Sequence, residues 1–336
     1  MNEDSRVARD MVDLLTGAWR AQATHTAARL GVADHIAAGR TTDAELAAAT
    51  GSKEDGIHRL MRLLVAMELF AADGAGGYRN TALSELLLDV PGSQRDMALL
   101  YGAEFYTAWS HAPEAISTVS SGFEIAYGTP LYTYNAQNPA FSDRFQRTMK
   151  AGNLFFSQVP SVYDFAGKHV VDIGGGNGQL LAEILTAHPT ARGTLFDQEN
   201  VVDAATTNLA ANGVLDRAAV AGGDMRVSVP GGADVYLLCR VLAGHSDDDV
   251  LGVFQRVRAG FSGPHARLLM LDRLVDEDNP TVLPALWDLH LLMTTGGRHR
   301  SLDHLADLLD RAGLAVESRA DLPVETTALI VAAKTD

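Results

Sequence analysis

Cysteine, basic residues and long apolar runs are all scarce in this sequence. Cys239 is the one cysteine in 336 residues, which excludes an internal disulfide or a zinc site built from several cysteines and fits a reducing compartment. Lysine and arginine number 27 against 42 acidic residues, and the net charge of -15 disfavours a nucleic-acid or anionic-membrane surface. No stretch approaches the ~18 apolar residues of a membrane span, and no export signal is visible. We expect a cytoplasmic protein that binds neither nucleic acid nor membranes.

The first 100 residues show helical periodicity. Apolar residues recur at helical spacing from Met11 onward, Thr42 and Asp43 mark a helix start, and residues 54–70 form a longer helix. The segment FAADGAGGYRNT indicates a hairpin with a glycine-rich turn, so the order resembles a winged-helix module. The acidic background disfavours DNA contact by this unit, and dimer packing or a lid is the preferred interpretation. Residues 1–100 are therefore predicted to form an all-helical, winged-helix-like dimerisation domain.

Aromatic residues are dense between positions 101 and 160. Tyr106 and Trp109 stand among them, and such side chains suit the wall of an apolar pocket as well as an ordinary core. Composition alone leaves both alternatives open. We predict that residues 101–160 form a helical connector that lines a small-molecule pocket.

From His169 onward, apolar strands alternate with helices, which predicts an α/β fold with a Rossmann-like, doubly wound parallel sheet over residues 161–336. The first strand ends at Asp172, and a glycine-rich turn from Gly174 to Gly178 opens a helix. Glycines let the backbone approach a ligand closely, and the helix N-terminus offers N–H groups to an anion. Such a turn alone is weak evidence, and its D-x-G-G-G-x-G spacing differs from the G-x-G-x-x-G of dinucleotide enzymes.

Two further strand ends carry acids at the same edge of the predicted sheet. Asp197 ends the second strand, where its carboxylate could accept both hydroxyls of a ribose that lacks a 2′-phosphate. Asp224 and Met225 end the third strand and suit an adenine amino group and ring face. Helix capping would explain each aspartate alone, but their combination with the glycines favours an adenosine-containing ligand.

Several segments resemble the small-molecule O-methyltransferase family of plant caffeate enzymes and bacterial polyketide-tailoring enzymes. The matching segments are NPAFSDRFQRTMKAG, VVDIGGGNG, LFDQENVV, GDMRVSVPGGADVYLLCRVL and TGGRHRSLDHLADLLDRAGL. The resemblance implies a homodimeric enzyme that uses S-adenosylmethionine (SAM), releases S-adenosylhomocysteine (SAH) and O-methylates a small aromatic secondary metabolite. The predicted cofactor-binding residues are Asp172, Gly174, Gly176, Asp197, Asp224 and Met225, to which we add Arg240.

The acceptor is expected in a pocket between the two domains. The resemblance places Met149 at the boundary between methyl donor and acceptor. Trp287, His290 and Thr294 recur at helical spacing in PALWDLHLLMTTGG, so this face either lines the acceptor pocket or packs on the N-terminal domain. The resemblance favours the pocket. These four residues and the two aromatics of the connector are the predicted acceptor-binding set.

The catalytic residues of the family are not intact in this chain. The family base is a histidine in V-L-H-D-W-D-D, whereas this chain has Ala243 at that position and His245 two residues later. The family motif G-G-x-E-R-T carries a glutamate that orients the base, and His299 stands in its place. The other acid of the family corresponds to Asp272. The predicted catalytic residues are His245, Asp272 and His299.

Three interpretations of this departure stay open. In the first, His245 acts as the base, oriented by Asp272 or assisted by His299. In the second, the acceptor is an amine, an enol or an electron-rich ring carbon that needs no base, and the enzyme is an N- or C-methyltransferase. In the third, SAM serves a tailoring reaction without methyl transfer.

Two further alternatives are less favoured. His245, His290 and His299 could together bind iron or zinc, but no H-x-x-x-H spacing supports this and we expect no metal. A SAM-sensing winged-helix regulator would require salt-sensitive DNA binding, which the net charge disfavours.

Overall fold

A computed structural model describes residues 3–323 and 325–334 of the chain. They fall into two compact units. The first unit comprises the chain up to Glu114 together with Gly122–Gly152. The second comprises Ala115–Ser121 and the chain from Asn153 onward.

About half of the described chain is helical, and strands alternate with helices in its C-terminal half. The α-helices are α1 (Glu3–Leu15), α2 (Gly17–Leu30), α3 (Val32–Ala37), α4 (Asp43–Thr50), α5 (Glu54–Ala66), α6 (Ala82–Glu85), α7 (Arg95–Gly102), α8 (Glu104–Trp109), α9 (Ala112–Thr118), α10 (Gly122–Tyr127), α11 (Leu131–Gln137), α12 (Pro139–Ala151), α13 (Gln179–Ala187), α14 (Val202–Ala211), α15 (Asp247–Ala259), α16 (Val282–Thr295) and α17 (Leu302–Arg311). The strands are β1 (Phe70–Ala72), β2 (Tyr78–Asn80), β3 (His169–Ile173), β4 (Arg192–Asp197), β5 (Ala218–Gly222), β6 (Val235–Cys239), β7 (Arg267–Asp272), β8 (Leu274–Val275), β9 (Arg300–Ser301), β10 (Leu314–Leu322) and β11 (Thr326–Ala333). Short 3-10 helices span Phe156–Ser161, Glu199–Val201 and Leu215–Arg217.

The first unit begins with the helices and hairpin that the sequence predicts. The Thr42 side chain accepts the backbone N–H of Glu45, and the Glu45 carboxylate accepts the N–H of Thr42, so a capping box starts α4. Helix α5 leads into β1 and β2, which pair antiparallel with Phe70 opposite Asn80. The predicted order of elements is present, and the assignment of this unit as a winged helix stays a prediction.

Helix α1 has an exposed apolar face. None of its residues is buried within the chain, although its apolar positions recur at helical spacing. Leu14 and Leu15 are 77% and 69% exposed, and Met11 on the same helix and Trp19 at the start of α2 are also exposed. In this single chain the N-terminal helix therefore presents an uncovered apolar surface.

The aromatic residues between positions 101 and 160 largely form a core of the first unit. Phe123 is fully buried, and its ring lies 4.4 Å from that of Tyr127 and 5.3 Å from that of Tyr134, centroid to centroid. Two of the predicted acceptor-binding aromatics are more accessible, since Tyr106 is exposed and Trp109 is half-buried at the end of α8.

The second unit is built on a seven-stranded sheet in the order β10-β11-β7-β6-β3-β4-β5. The five strands from β7 to β5 in this order are parallel. Apolar side chains of α13 and α14 pack on one face of the sheet, and those of α15 and α17 pack on the other. This arrangement confirms the Rossmann-like, doubly wound fold and brings the ends of β3, β4 and β5 to one edge.

One edge of the sheet is antiparallel, which differs from the all-parallel sheet that the sequence predicts. Strand β11 pairs antiparallel with β7 and with β10, and the sequence pattern did not predict β10 as a strand. The connection between Leu322 and Thr326 is much too short for the crossover that a parallel neighbour requires. The last two strands therefore form a hairpin.

None of the helices in the described ranges combines the length and the hydropathy that a membrane crossing requires.

Candidate active site

The glycine-rich turn lies between β3 and α13, and its backbone requires glycine. Gly174, Gly176 and Gly178 have φ values of 70°, 58° and 77°, in the left-handed region that disfavours residues with a Cβ. A Cβ on Gly174 would also lie 2.5 Å from a methyl group of Val241. A Cβ on Gly176 would meet nothing within 4 Å, so open space lies beside this residue.

Asp172, two residues before the start of the turn at Gly174, is fully buried with an unsatisfied carboxyl group. Among the described residues, neither of its side-chain oxygens has a hydrogen-bond partner. Burial, with a smaller effect from the charge of Asp197, raises the pKa of Asp172 to about 7. A buried carboxylate without a donor is costly, so this position fits a ligand that brings a cationic or N–H group.

Asp197 lies directly beside the turn, at the end of β4. One carboxylate oxygen accepts the N–H of Gly176 at 2.8 Å, and the other accepts the N–H of Gln198 at 2.7 Å. The acid is thus fixed against the backbone that borders the open space. Its predicted role toward the hydroxyls of a ribose stays a prediction.

Asp224 and Met225 follow β5 at the same edge of the sheet. The Arg226 side chain donates to the Asp224 carboxylate at 2.7 Å, and its side-chain and backbone hydrogen bonds lower the pKa of Asp224 to about 2. Met225 packs against the core cluster on the α15 face of the sheet. These two residues stay predicted adenine contacts.

Arg240 follows β6 in a left-handed conformation, with φ of 54°. Its guanidinium lies 4.3 Å from the centroid of the Phe155 ring and donates to the hydroxyl of Thr326. These contacts join β6 to β11 and to the segment before β3. They give Arg240 a structural role, and its predicted cofactor contact stays a prediction.

Asp272 and His299 lie together near the end of β7. Asp272 Oδ1 is 3.8 Å from His299 Nδ1, and both side chains are almost fully buried. Burial raises the pKa of Asp272 to about 6, and burial with the charges of Arg273 and Arg240 lowers the pKa of His299 to about 4. Two of the three predicted catalytic residues are therefore neighbours.

His245 lies in a loop with different neighbours. Burial, followed by the charge of Arg226, lowers its pKa, and the charges of Asp249 and Asp224 oppose this shift. The groups that act on its titration are Arg226 and Asp224 at the sheet edge, Asp249 on α15, and Arg300. Arg300 also acts on the pKa of Asp272, but the other groups do not, and the role of His245 as a base stays a prediction.

Arg300 holds the loop that carries Ala243 and His245, and the sequence pattern did not single out this residue. Its buried guanidinium donates to the backbone oxygens of Leu242 and His245, at 3.1 and 2.6 Å, and to the Asp247 carboxylate at 2.9 Å. Burial raises the pKa of Asp247, but hydrogen bonds from Arg300 and other donors outweigh burial and lower it to about 2. Arg300 occupies the arginine position of the family pattern G-G-x-E-R-T, and this match is the sequence feature that could have identified it.

The GGRHRS segment also contacts this loop through its backbone. Arg298 N–H donates to the Ala243 carbonyl at 2.8 Å, and a Cβ on Gly297 would lie 2.4 Å from that same oxygen. The two segments that depart from the family pattern are therefore packed against each other.

Helix α16 brings two of its predicted acceptor-binding residues into contact. The Trp287 and His290 rings lie 5.8 Å apart, edge to face. Burial and the charge of Arg273 lower the pKa of His290 to about 4. Thr294 is buried and its hydroxyl donates to the His290 carbonyl at 2.8 Å, within the helix.

Met149 belongs to the first unit, near the end of α12, and is 41% exposed. It shares that unit with Tyr106 and Trp109. Their acceptor-binding roles stay predictions.

No three histidine, cysteine or acidic side chains in the described ranges are grouped in a way that could hold a metal ion. The suggested trio of His245, His290 and His299 is therefore not found as such a group.

The chain matches two family models that cover most of its length. Residues 109–315 match the O-methyltransferase domain, and residues 12–89 match the O-methyltransferase dimerisation domain. The chain belongs to the O-methyltransferase family.

Two curated members of this O-methyltransferase family align with nearly the whole chain. A phenazine-1-carboxylate N-methyltransferase of Pseudomonas aeruginosa is 42% identical over 331 residues, which is 98% of this chain and 99% of that protein. A 3-amino-4-hydroxybenzoate 4-O-methyltransferase of Streptomyces cremeus is 37% identical over 322 residues, 95% of this chain and 88% of that protein.

Solved structures agree with this O-methyltransferase assignment. The pyocyanin biosynthetic protein PhzM superposes with a TM-score of 0.90 at 42% identity, covering 98% of this chain and 99% of that one. The O-methyltransferase NcsB1, solved with SAM and 2-hydroxy-5-methyl naphthoic acid, has a TM-score of 0.77 at 32% identity and covers 94% and 96%. The protein is a SAM-dependent methyltransferase, as the resemblance predicted. The open space at Gly176 and the unsatisfied Asp172 fit this cofactor.

Proposed function

We propose that this methyltransferase transfers the methyl group of SAM to an aromatic secondary metabolite, with a hydroxyl oxygen as the first candidate for the accepting atom. The observation that carries the proposal is the open space beside Gly176 at the sheet edge, where Asp197 accepts the Gly176 N–H and the unsatisfied Asp172 carboxyl is buried just before the turn. The names of the Streptomyces cremeus relative and of the NcsB1 complex point to hydroxylated aromatic acceptors for those proteins. The net charge of -15 supports a small-molecule acceptor over a nucleic acid.

Some residues at the sheet edge would bind the cofactor, and others would align the acceptor with its methyl group. When bound, SAM supplies an electrophilic methyl group on a sulfonium. Asp172 would accept a cationic or N–H group of the cofactor, Asp197 the ribose hydroxyls, and Asp224 with Met225 the adenine. Trp287 and His290 would hold the acceptor ring, since methyl transfer needs the nucleophile in line with the methyl carbon and water excluded.

Removal of a hydroxyl proton would fall to the Asp272–His299 pair or to His245, because Ala243 replaces the family base. Within the pair Asp272 would hold the proton, because its pKa is about 6 whereas that of His299, 3.8 Å away, is about 4. We also propose that residues 101–160, with Met149, Tyr106 and Trp109, contribute to the acceptor pocket.

A ring nitrogen is the second candidate for the accepting atom. Burial lowers the pKa of His245, His290 and His299, to about 4 for the last two, so each is a weaker base than free imidazole. A ring nitrogen needs no deprotonation. The Pseudomonas aeruginosa relative carries the name of an N-methyltransferase, which supports this alternative.

The test uses purified protein, SAM with a deuterated methyl group and two acceptors, phenazine-1-carboxylate and 3-amino-4-hydroxybenzoate. Mass spectrometry should show a labelled product whose fragments place the label on oxygen or nitrogen. Ala243→His should favour the hydroxylated acceptor if oxygen is the natural site. Bound SAM without a labelled product from these acceptors or from extracts of the source organism would refute methyl transfer.

We further propose that the enzyme is a homodimer assembled through its N-terminal domain. The match of residues 12–89 to the dimerisation family supports this, as does the exposed apolar face of α1. The scarcity of cysteine supports a cytoplasmic location.

A further inference from the structure

Arg273 lies next to the catalytic candidates, in a position that the sequence pattern did not single out. It follows Asp272 directly, and its guanidinium carbon lies 4.2 Å from the centroid of the Trp287 ring. Trp287 in turn contacts His290 edge to face. A guanidinium stacked on an indole has a fixed plane, so its donors point in set directions.

The electrostatic environment around Arg273 favours a negative charge. Its charge and that of Arg240 act on two neighbouring groups, lowering the pKa of His299 and opposing the rise in the pKa of Asp272 that burial causes. It also lowers the pKa of His290. At neutral pH both imidazoles are therefore uncharged, and they can offer a hydrogen bond without adding a cation.

We propose that Arg273, stacked on Trp287, binds a carboxylate on the aromatic acceptor and thereby selects aromatic acids over neutral aromatics. The proposal rests on the proposed function, because it assigns the specificity of the same site. A guanidinium matches a carboxylate with two parallel hydrogen bonds. The Trp287 face next to it would hold the plane of the acceptor ring.

The positive environment also suits the reaction. The sulfonium loses its charge as the methyl group leaves. A carboxylate on the acceptor keeps its negative charge throughout the transfer, so it offsets the nearby guanidinium groups both before and after this change. Asp272, ionised at neutral pH, offsets one of the two guanidinium charges of Arg240 and Arg273, so a neutral acceptor would leave a net positive charge near a cationic methyl donor in a site of low dielectric. The carboxylate on SAM itself is the other possible partner of Arg273, and the experiment must separate the two.

The test compares the binding of two matched probes, phenazine-1-carboxylate and phenazine-1-carboxamide, to the SAH-loaded enzyme by titration calorimetry. The wild-type protein should bind the acid at least ~10-fold more tightly than the amide, and Arg273→Gln should weaken acid binding ~10- to 100-fold while leaving the amide unchanged. Arg273→Lys keeps the charge but loses the planar fork, so it should recover only part of the preference. Arg192→Gln, at an exposed arginine at the start of β4, is the matched control and should behave as wild type.

The outcomes separate this proposal from its alternatives. Equal affinity for acid and amide, or no binding of the acid, overturns it. An Arg273→Gln protein that loses affinity for SAH would show that Arg273 binds the cofactor carboxylate, which also overturns it. Circular dichroism checks that each variant is folded. If Arg273→Gln does not fold, the comparison of acid and amide binding is made with Arg273→Lys. If the enzyme binds the acid more tightly than the amide but yields no labelled product with deuterated SAM, the carboxylate site is supported and the proposed methyl transfer is refuted.

Discussion

The Asp272 carboxylate and the His299 imidazole face each other across 3.8 Å, and both side chains are almost fully buried. His299 occupies the position where the family pattern has a glutamate, so an acid–base pair stands here in place of two acids. Burial reverses the usual order of the two pKa values, raising that of Asp272 to about 6 and lowering that of His299 to about 4. At neutral pH the pair therefore consists of an ionised carboxylate beside an uncharged imidazole, and it resists formation of an imidazolium.

The first prediction concerns the pH dependence of kcat at saturating SAM and acceptor. Because the pKa of Asp272 is raised to about 6 and that of His299 is lowered to about 4, neither group changes its charge much between about pH 7 and 8.5. We expect kcat to be flat in that range and to fall below about pH 6 as Asp272 takes up a proton. A fall in kcat at low pH that disappears in His245→Ala would contradict this and assign the base to His245.

Asp172→Asn should separate stability from cofactor binding. In the ligand-free protein the pKa of Asp172 is raised to about 7 from 3.8, so the native state binds more protons than the unfolded state between these values. Stability is therefore lost as pH rises through about 7. The neutral amide avoids this loss, and we expect a gain of ~1–2 kcal/mol at pH 8 that vanishes near pH 4.

The same Asp172 variant should bind SAH ~10-fold or more weakly, because the amide offers a weaker acceptor to a cationic group. Urea denaturation at pH 4 and pH 8 and calorimetry with SAH measure the two effects. Asp216→Asn, at an exposed aspartate before β5, is the control and should change neither. A destabilised Asp172→Asn protein at pH 8 would show that a polar partner already satisfies the carboxylate.

Gly176→Ala should weaken cofactor binding beyond its cost to folding. Gly176 and Gly213 both have positive φ, 58° and 69°, and a Cβ at either position meets nothing within 4 Å. Each alanine variant should lose ~1–2 kcal/mol of stability from the left-handed backbone alone. The Gly176 variant should in addition bind SAH at least ~10-fold more weakly, since its Cβ enters the proposed cofactor space. Equal SAH affinity in the two variants would place the cofactor elsewhere.

Arg300→Met should loosen the loop that carries Ala243 and His245. The buried guanidinium contacts two backbone oxygens and Asp247, so we expect a loss of ~2–4 kcal/mol and a lower kcat. Arg311→Met, which removes an exposed ion pair with Asp307, should cost ~0–1 kcal/mol. Similar losses in the two variants, measured by urea denaturation, would argue against the role given to Arg300.

Acid titration offers a second readout for Arg300. The pKa of Asp247 is lowered to about 2, so its contribution to stability is present above about pH 4 and is lost as pH falls toward 2. The Arg300→Met protein should show a shallower loss of stability over this interval than the wild-type protein.

The cofactor half of the site could be predicted from sequence because its chemistry is local. Gly174 and Gly176 indicate positive φ by residue type, and Asp172 and Asp197 end apolar strands whose parallel pairing brings them together. The parallel pairing follows from the alternation of strands and helices, whereas the strand order comes from the structure. By contrast, β10 has five exposed positions in a row and lacks the apolar alternation of a strand, so its antiparallel pairing with β11 was not visible.

The acceptor half depends on contacts between distant segments, and the sequence carries little signal for these. Arg273 meets Trp287 through β7 and α16, and Arg300 reaches Leu242 through 58 positions of sequence. Arginine is common on protein surfaces, so only the three-dimensional packing reveals the roles of Arg273 and Arg300. His245 illustrates the converse, because its sequence position suggested Asp272 as a partner while its electrostatic neighbours are Arg226 and Asp249.

The last prediction concerns the exposed apolar face of α1 and the adjoining turn of α2. A homodimer that uses this face would bury Leu14, Leu15 and Trp19. A charged side chain introduced at one of these positions would lose its hydration in the interface and destabilise the dimer. We expect Leu15→Glu combined with Trp19→Glu to convert a dimer into a monomer at micromolar concentration, as measured by light scattering. Ile116→Glu, at a 53% exposed apolar residue on α9, tests whether any added surface charge has this effect and should leave the dimer intact. A wild-type protein that is monomeric in the same measurement would refute the proposed dimer, whereas a monomeric double variant that still binds SAH would confine the role of α1 to assembly.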